Sequence, residues 1–176
     1  MSIMSTARSS AESGAAPAGG RPTLIDLNAI DLAARDRGKD EIERWIPHRG
    51  QMNLLDYVLW TSDDYGQGVG LWHVKPTEFW VPGHFPGRPM LPGVLQIEAG
   101  AQMSVYLHNR RSGALSTAAF THIREASFRA PCVPGDDLLL LAKELRYTPR
   151  RFVSAVQGIV SGRIVFEAQI EGITLR

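Results

Sequence analysis

The chain has a single cysteine, Cys132, among its 176 residues. One cysteine cannot form an intrachain disulfide, which excludes the disulfide-stapled folds of small secreted proteins and any zinc site built from several cysteines. Cys132 follows a predicted strand, and no base can be identified beside it, so a packed thiol is favoured over a nucleophile. A reducing, cytoplasmic setting is expected.

The sequence also has little net charge and no long apolar run. Lys and Arg number 19 and Asp and Glu 18, which gives a formal net charge of +1. Because the basic residues are scattered, neither nucleic acid nor an anionic membrane is expected as a partner. No stretch approaches the length that spans a bilayer, and residues 1–20 lack the apolar core of a signal peptide.

Motifs that hold nucleotides or metals are missing as well. The glycines form neither the GxGxxG nor the GxxxxGK(S/T) pattern, so no nucleotide cofactor is indicated. His48, His73, His108 and His122 show no metal-ligand spacing, and we interpret all four as structural or exposed. We therefore expect neither a cofactor nor a metal.

The length suits one compact domain preceded by a tail. Residues 1–22 are mainly Ser, Ala and Gly, with too little apolar surface to offset the entropy of ordering, and are expected to be a disordered tail. Residues 23–176 are expected to form the domain. Between Thr23 and Trp45, apolar residues at helical spacing, interrupted near Gly38, predict two short helical pieces that cover an edge of the core.

The remaining sequence predicts one long helix and a series of strands. The helix begins at Pro92, with the sequence PGVLQIEAGAQMSVYLHNRR, and its first four turns are apolar nearly all round, so it must be enclosed by other structure. Strands are predicted at NLLDYVLW, GVGLWHV, HIREASFRAP, DLLLLAKELRY, RFVSAVQGIVS and RIVFEAQIEGITL, which turn residues separate. The predicted fold class is α+β, an antiparallel sheet curled around a long central helix.

Glu98 is the most informative candidate for chemistry because it lies within the predicted enclosed helix, with Ala101 and Gln102 among its helical neighbours. Desolvation there is expected to raise the pKa of the carboxyl group and to favour the protonated form, which can donate a proton to a leaving hydroxyl group. Taken alone, Glu98 is interpreted equally well as a structural residue, paired with a buried Arg or hydrogen-bonded to Gln102.

His84 lies in the Pro- and Gly-rich loop that precedes this helix. Imidazole is the natural base near neutral pH. A lone histidine in a loop is more often a surface or structural residue. A stiff loop that leads His84 to a helix carrying Glu98 nevertheless suggests that a base and an acid converge on one cavity.

The start of the helix offers a third element. The amides of Gly93 and Val94 lack intrahelical partners and point along the positive end of the helix dipole. They could bind a thioester carbonyl and stabilise negative charge on its oxygen as the α proton leaves. The alternative is an ordinary helix start after a Pro-Gly turn.

At Gly83 to Gln102 the sequence GHFPGRPMLPGVLQIEAGAQ resembles the 3-hydroxyacyl-acyl-carrier-protein dehydratases of type II fatty acid synthesis. The resemblance rests on the loop motif GHFPG-x-P, the PGV helix start and the E-A-x-A-Q segment, in that order. Weaker echoes extend it over about residues 40–173: IPHR at Ile46 to Arg49, LLDYV at Leu54 to Val58, and FRAPCVPGDDL at Phe128 to Leu138.

The resemblance implies a hot-dog fold, a homodimer or trimer of dimers, and an active site at the dimer interface. It assigns removal of the α proton to His84, protonation of the departing 3-hydroxyl group to Glu98 of the other subunit, and binding of the thioester carbonyl to the amide of Gly93. The implied substrate is a (3R)-3-hydroxyacyl chain on the phosphopantetheine of an acyl carrier protein. The product is the trans-2-enoyl thioester, and no further cofactor is required.

Three departures from the family pattern leave chain-length preference, carrier docking and assembly open. Tyr57 stands where the family usually has Arg, Gly50-Gln51-Met52 replaces an aromatic and Pro-containing stretch, and the region through Lys39 has no clear counterpart. Two other functions also stay open, because a fold does not fix its chemistry. One is a hot-dog acyl thioesterase, which would release a free thiol, and the other is a non-catalytic acyl-thioester binding or regulatory module.

Overall fold

The computed structural model describes residues 21–175. Most of the predicted tail, residues 1–20, lies outside this range. No helix within the described residues is long and apolar enough to cross a membrane. The elements in chain order are a 3-10 turn Leu27–Ala29, α1 Lys39–Glu43, a 3-10 turn Gly50–Met52, β1 Tyr57–Thr61, β2 Gln67–His73, α2 Gly93–Ser112, β3 Ala118–Phe128, β4 Asp137–Thr148, β5 Arg151–Val160 and β6 Arg163–Thr174.

The six strands form one antiparallel sheet in the order β1-β2-β4-β5-β6-β3. Ser161 and Gly162, both with positive φ, make the two-residue turn between β5 and β6, a geometry that matches the twist of the paired strands. Within residues 21–175, β3 pairs only with β6 and β1 only with β2, so these two strands are the edges of the sheet. The predicted antiparallel sheet is confirmed.

Helix α2 packs across one face of this sheet and contacts β2, β4, β5 and β6. Its residues from Ala99 to Asn109 are buried without interruption. Gly100 lets the helix approach β5, since a Cβ there would lie 3.2 Å from the Cβ of Val156. The helix ends at Gly113, whose φ of 72° suits a left-handed cap. The enclosed central helix and the hot-dog fold that the sequence implies are confirmed.

The opposite face of the sheet is covered by the segment that precedes α1. Leu138 and Leu140 of β4 face the core around α2, whereas Leu141 joins a second apolar cluster that contains Ile25, as expected for side chains that alternate along a strand. The two helical pieces predicted between residues 23 and 45 are present. The expectation that they cover an edge of the core is wrong for the first piece, because the apolar residues around Ile25 meet the outer face of the sheet. The second piece, α1, does contact the edge strand β1 and adds Ile42 to the core.

Truncation of one buried side chain in this outer cluster is expected to destabilise the fold strongly. Ile25 is 5% exposed, so Ile25→Ala is expected to lower the free energy of unfolding by about 2 to 5 kcal/mol through lost burial and the cavity left behind. Leu145, which is 51% exposed, provides the control, and Leu145→Ala should change stability by no more than about 0.5 kcal/mol. Urea denaturation measures both, and equal effects would show that the segment is not anchored on the sheet.

Candidate active site

The loop before α2 holds His84 by backbone hydrogen bonds on both sides. The amide of His84 donates to the carbonyl oxygen of Trp80 at 2.9 Å. The carbonyl oxygen of His84 accepts from the amide of Met90 at 2.8 Å. The imidazole Nδ1 lies 2.6 Å from the carbonyl oxygen of Met90. Because a carbonyl oxygen can only accept, Nδ1 carries the proton, and Nε2 is the nitrogen free to take one.

His84 lines an open groove of about 700 Å³ at the start of α2, together with Arg88, Val94 and Phe128. Val94 is 72% exposed and Phe128 51% exposed. Apolar side chains exposed side by side around a groove are typical of a surface that another molecule covers. The groove therefore offers a basic nitrogen beside an apolar, accessible wall.

The first two amides of α2 also belong to this groove. The next two amides of the helix donate to the carbonyl oxygen of Pro92, whereas those of Gly93 and Val94 have no acceptor within residues 21–175. A Cβ on Gly93 would lie 2.7 Å from the ring of Phe128, so only glycine allows this close approach. His84, Gly93 and Val94 thus lie around one groove, and their roles toward a substrate stay predictions.

Glu98 lies one turn further along α2 but in a different cavity. Its side chain is 21% exposed. The cavity is narrow, about 60 Å³, and is lined by residues of α2, β3, β5 and the segment before the 3-10 turn at 50–52: His48, Glu98, Ala101, Val105, Ala118, Ala119, Phe120 and Phe152. His84 does not line the cavity of Glu98, and Glu98 does not line the groove of His84. Within one chain the structure therefore does not bring His84 and Glu98 together.

Two N–H donors meet the carboxyl group of Glu98. Gln102 Nε2 lies 2.9 Å from Glu98 Oε1, and His48 Nε2 lies 3.2 Å from the same oxygen. Burial raises the pKa of Glu98, but the hydrogen bonds from His48 and Gln102, together with the charge interaction with His48, outweigh it and hold the pKa below its usual range. The expected rise in the pKa of Glu98 is therefore wrong, because the donors stabilise the carboxylate more than desolvation penalises it.

Gln102 fixes the segment that presents His48. Its Oε1 accepts from the amide of Leu54 at 3.0 Å, and its Nε2 donates to the carbonyl oxygen of Met52 at 2.7 Å. This ties residues 48–54 to α2. The interpretation of His48 as merely structural or exposed missed its contact with Glu98, since the two residues lie far apart in the sequence and no spacing rule connects them. The only available signal was the IPHR segment of the family resemblance.

None of the other three histidines lines either cavity. His108 is 1% exposed and packs beside the rings of Tyr147 and Phe152. His73 pairs with Asp137 across β2 and β4, and the side chain of His122 is 53% exposed. No group of three or more metal-ligating side chains occurs in the part of the chain that the structure describes.

Cys132 is a packed thiol, as the sequence predicts. It is fully buried, and burial, reinforced by the charge of Asp136, raises its pKa to about 12. A thiol that stays protonated at neutral pH is a poor nucleophile. Cys132 therefore takes no part in the candidate chemistry.

A further open groove of about 790 Å³ lies where α1 meets β1 and β2. Its walls are charged, and several of the charges pair with one another: Lys39 and Lys75 both lie beside Asp56, and His73 beside Asp137. Such walls do not suit an acyl chain. The groove of His84 and the cavity of Glu98 remain the candidate site.

The chain is similar to known dehydratases. Residues 46–169 match the FabA-like domain family. The 3-hydroxyacyl-[acyl-carrier-protein] dehydratase FabZ of Sodalis glossinidius is 37% identical over 139 residues, which cover 74% of this chain and 88% of the relative. The protein of the same name from Desulforamulus reducens is 35% identical over 148 residues, covering 84% of this chain and 95% of the relative.

Solved structures share the fold across most of the chain. The dehydratase heterocomplex ApeI:P from Xenorhabdus doucetiae gives a TM-score of 0.68 at 18% sequence identity, covering 77% of this chain and 91% of that one. At this level of identity the likeness concerns the fold alone. The stretch matched by the family includes His48, His84, Gly93 and Glu98.

Proposed function

The chain belongs to the FabA-like domain family, and on this premise we propose that His84 of one subunit and Glu98 of another form each active site. The protein is a 3-hydroxyacyl-acyl-carrier-protein dehydratase, a hydro-lyase of fatty acid biosynthesis. Its reaction removes water from a (3R)-3-hydroxyacyl thioester and leaves the trans-2-enoyl thioester. The assignment of His84 and Glu98 to one shared site is supported by the arrangement of the two cavities along β3.

Strand β3 runs beside both cavities. Ala118, Ala119 and Phe120 at its start line the cavity of Glu98, and Phe128 at its end lines the groove of His84. Phe120 and Phe128, eight residues apart, are about 26 Å from each other at the rise of an extended strand. In one chain, the cavity of Glu98 and the groove of His84 therefore border opposite ends of the same edge strand.

A two-fold axis at this edge would bring the two halves together. Unpaired edge strands readily pair with another chain, and Phe120, Ile123 and Phe128 are 41%, 50% and 51% exposed along β3. In a symmetric dimer the paired β3 strands run antiparallel, so the end of one lies beside the start of the other. The groove of His84 in one subunit would then face the cavity of Glu98 in its partner. The proposed assembly is this homodimer or a trimer of such dimers.

The proposed reaction needs only groups of the protein. Nε2 of His84 takes the α proton, and the electrons of that bond form the Cα–Cβ double bond. The bond from Cβ to the hydroxyl oxygen breaks, and the hydroxyl group leaves as water with a proton from Glu98. The free amides of Gly93 and Val94 stabilise the charge on the thioester carbonyl.

The proposed partner is an acyl carrier protein whose phosphopantetheine arm delivers the acyl chain. No other cofactor takes part in the proposal. The proposed location is the cytoplasm, since a chain whose one cysteine is a buried thiol needs no oxidising compartment to fold.

Loss of either residue is expected to lower kcat by about a hundred- to ten-thousandfold, the usual contribution of an acid or base. His84→Ala and Glu98→Gln should both be affected when enoyl product is measured from a 3-hydroxyacyl carrier protein. A wild-type rate no better than that of His84→Ala would contradict the assignment. Release of free thiol in place of the enoyl product would indicate the thioesterase, and binding without turnover the regulatory module.

Mixing the two inactive variants tests whether the site is shared. In a heterodimer, one site combines the intact His84 of one chain with the intact Glu98 of the other, while the second site carries both changes. Statistical exchange of subunits should therefore restore about a quarter of the wild-type activity. Each variant exchanged with itself is the control. A mixture as inactive as its components would mean that each site lies within one chain.

The pH dependence follows from the lowered pKa of Glu98. Because a lowered pKa makes the protonated acid the minor form at neutral pH, each further unit of pH reduces it about tenfold. We therefore expect kcat/KM to fall by about tenfold per pH unit between about pH 7.5 and 9. Measurement with a small 3-hydroxyacyl thioester avoids titration of a carrier protein. A profile that is flat or rises over this interval would show that Glu98 acts as the carboxylate.

A further inference from the structure

The two oxygens of the Glu98 carboxyl group have different surroundings. Oε1 lies within hydrogen-bond distance of both Gln102 Nε2 and His48 Nε2, at 2.9 and 3.2 Å. No hydrogen bond within residues 21–175 reaches Oε2. Oε1 is therefore the anchored oxygen, and Oε2 is the one available to carry a proton to a substrate.

Among the described residues, the His48 side chain makes its one polar contact with this carboxyl group, through Nε2 at 3.2 Å from Oε1. Its side chain is 25% exposed and lines the same cavity as Glu98. Its other ring nitrogen, Nδ1, is buried and has no partner among the described residues. A histidine kept for structure alone is expected to have its buried nitrogens paired. The side-chain contact of His48 therefore points to a role exerted through Glu98.

We propose that His48 is a positioning residue of the dehydration, which holds Oε1 of Glu98 and stabilises the charge that forms there when Oε2 gives its proton to the leaving hydroxyl group. This inference rests on the proposed function, since it takes Glu98 to be the acid. The donor comes from the same chain as Glu98, so in the proposed dimer His84 alone is supplied by the other subunit.

The energetics favour such a donor. As the bond to the hydroxyl group breaks and water forms, the neutral carboxyl group becomes a carboxylate. A hydrogen bond to a charged acceptor is about twice as strong as one to a neutral acceptor. His48 therefore binds the transition state more tightly than the ground state, which is the condition for raising kcat. The proton taken by His84 passes to solvent, and solvent returns one to Glu98.

The same contact reduces the resting amount of acid. The lowered pKa of Glu98 means that fewer carboxyl groups carry a proton at neutral pH. His48 therefore raises the overall rate only if it speeds proton transfer from Glu98 by a larger factor than that by which it reduces the protonated fraction of Glu98. Variants that separate hydrogen bonding from side-chain volume test whether it does.

The experiment compares His48→Leu, which keeps much of the volume but removes the donor, with His48→Gln, whose side-chain amide can still donate. We expect kcat of His48→Leu to fall about ten- to a hundredfold, near the lower end of the loss seen when one preorganised donor is removed. KM should change little, and His48→Gln should recover most of kcat. His73→Gln, which alters a histidine that pairs with Asp137 and lines neither cavity, should behave as wild type.

A second measurement excludes a purely structural effect. The carbon-13 signal of the Glu98 carboxyl group, assigned by its loss in Glu98→Gln, reports the pKa directly. In His48→Leu the midpoint should move to higher pH, because burial still raises the pKa while one of the two donors that lower it is gone. It should stay unchanged in His73→Gln. Circular dichroism verifies that each variant is folded.

The outcomes separate this inference from the proposed function. If wild type makes the enoyl product and His84→Ala does not, the dehydratase assignment stands. A His48→Leu rate within about twofold of wild type would then overturn the role of His48, with or without a shifted titration. If both variants fold, equal losses of kcat in His48→Gln and His48→Leu would also overturn it. If His48→Leu is unfolded, a folded His48→Gln whose kcat falls about ten- to a hundredfold at an unchanged Glu98 midpoint would overturn it, because the donor is kept while the rate is lost. A wild-type protein without enoyl product would instead contradict the function itself.

Discussion

The packing of α2 against the sheet is the constraint on which the site depends. This one helix carries the free amides of Gly93 and Val94 at its exposed start and Glu98 and Gln102 in its more deeply packed part. Because burial fixes the helix, the spacing between its open end and its acid is fixed as well.

The fold could be predicted because its signals are local. Turn residues separate the strands, and the length and nearly uniform apolarity of the α2 segment indicate an enclosed helix. Strand β3 begins at Ala118, before the predicted start, because pairing of Ala118 with Thr174 and of Ala119 with Ile173 extends the ladder. Long-range pairing of this kind leaves no mark in the segment itself. The same holds for the outer face, where Ile25 meets strands far away in the sequence.

The candidate site was only partly predictable. Residue type and position indicated His84 and Glu98, since a base in a stiff loop and an acid in an apolar helix are both unusual. The direction of the Glu98 pKa was not predictable, because it depends on a hydrogen bond from His48, a residue in a distant segment. The sequence neighbours suggested desolvation or, as the alternative, a hydrogen bond with Gln102, which the structure contains, but they gave no sign of His48. The convergence of base and acid was expected, but one chain holds them in separate cavities.

The division of the site between two chains makes the assembly part of the chemistry. A crystal structure of the assembled protein with an unreactive 3-hydroxyacyl thioester analogue tests this most directly. The account predicts that β3 strands pair across a two-fold axis, and that Nε2 of His84 and a carboxyl oxygen of Glu98 from opposite subunits lie about 3 to 3.5 Å from the α carbon and the 3-hydroxyl oxygen of one ligand. A ligand that contacts only one of these residues, or an assembly that keeps the two cavities apart, would contradict it.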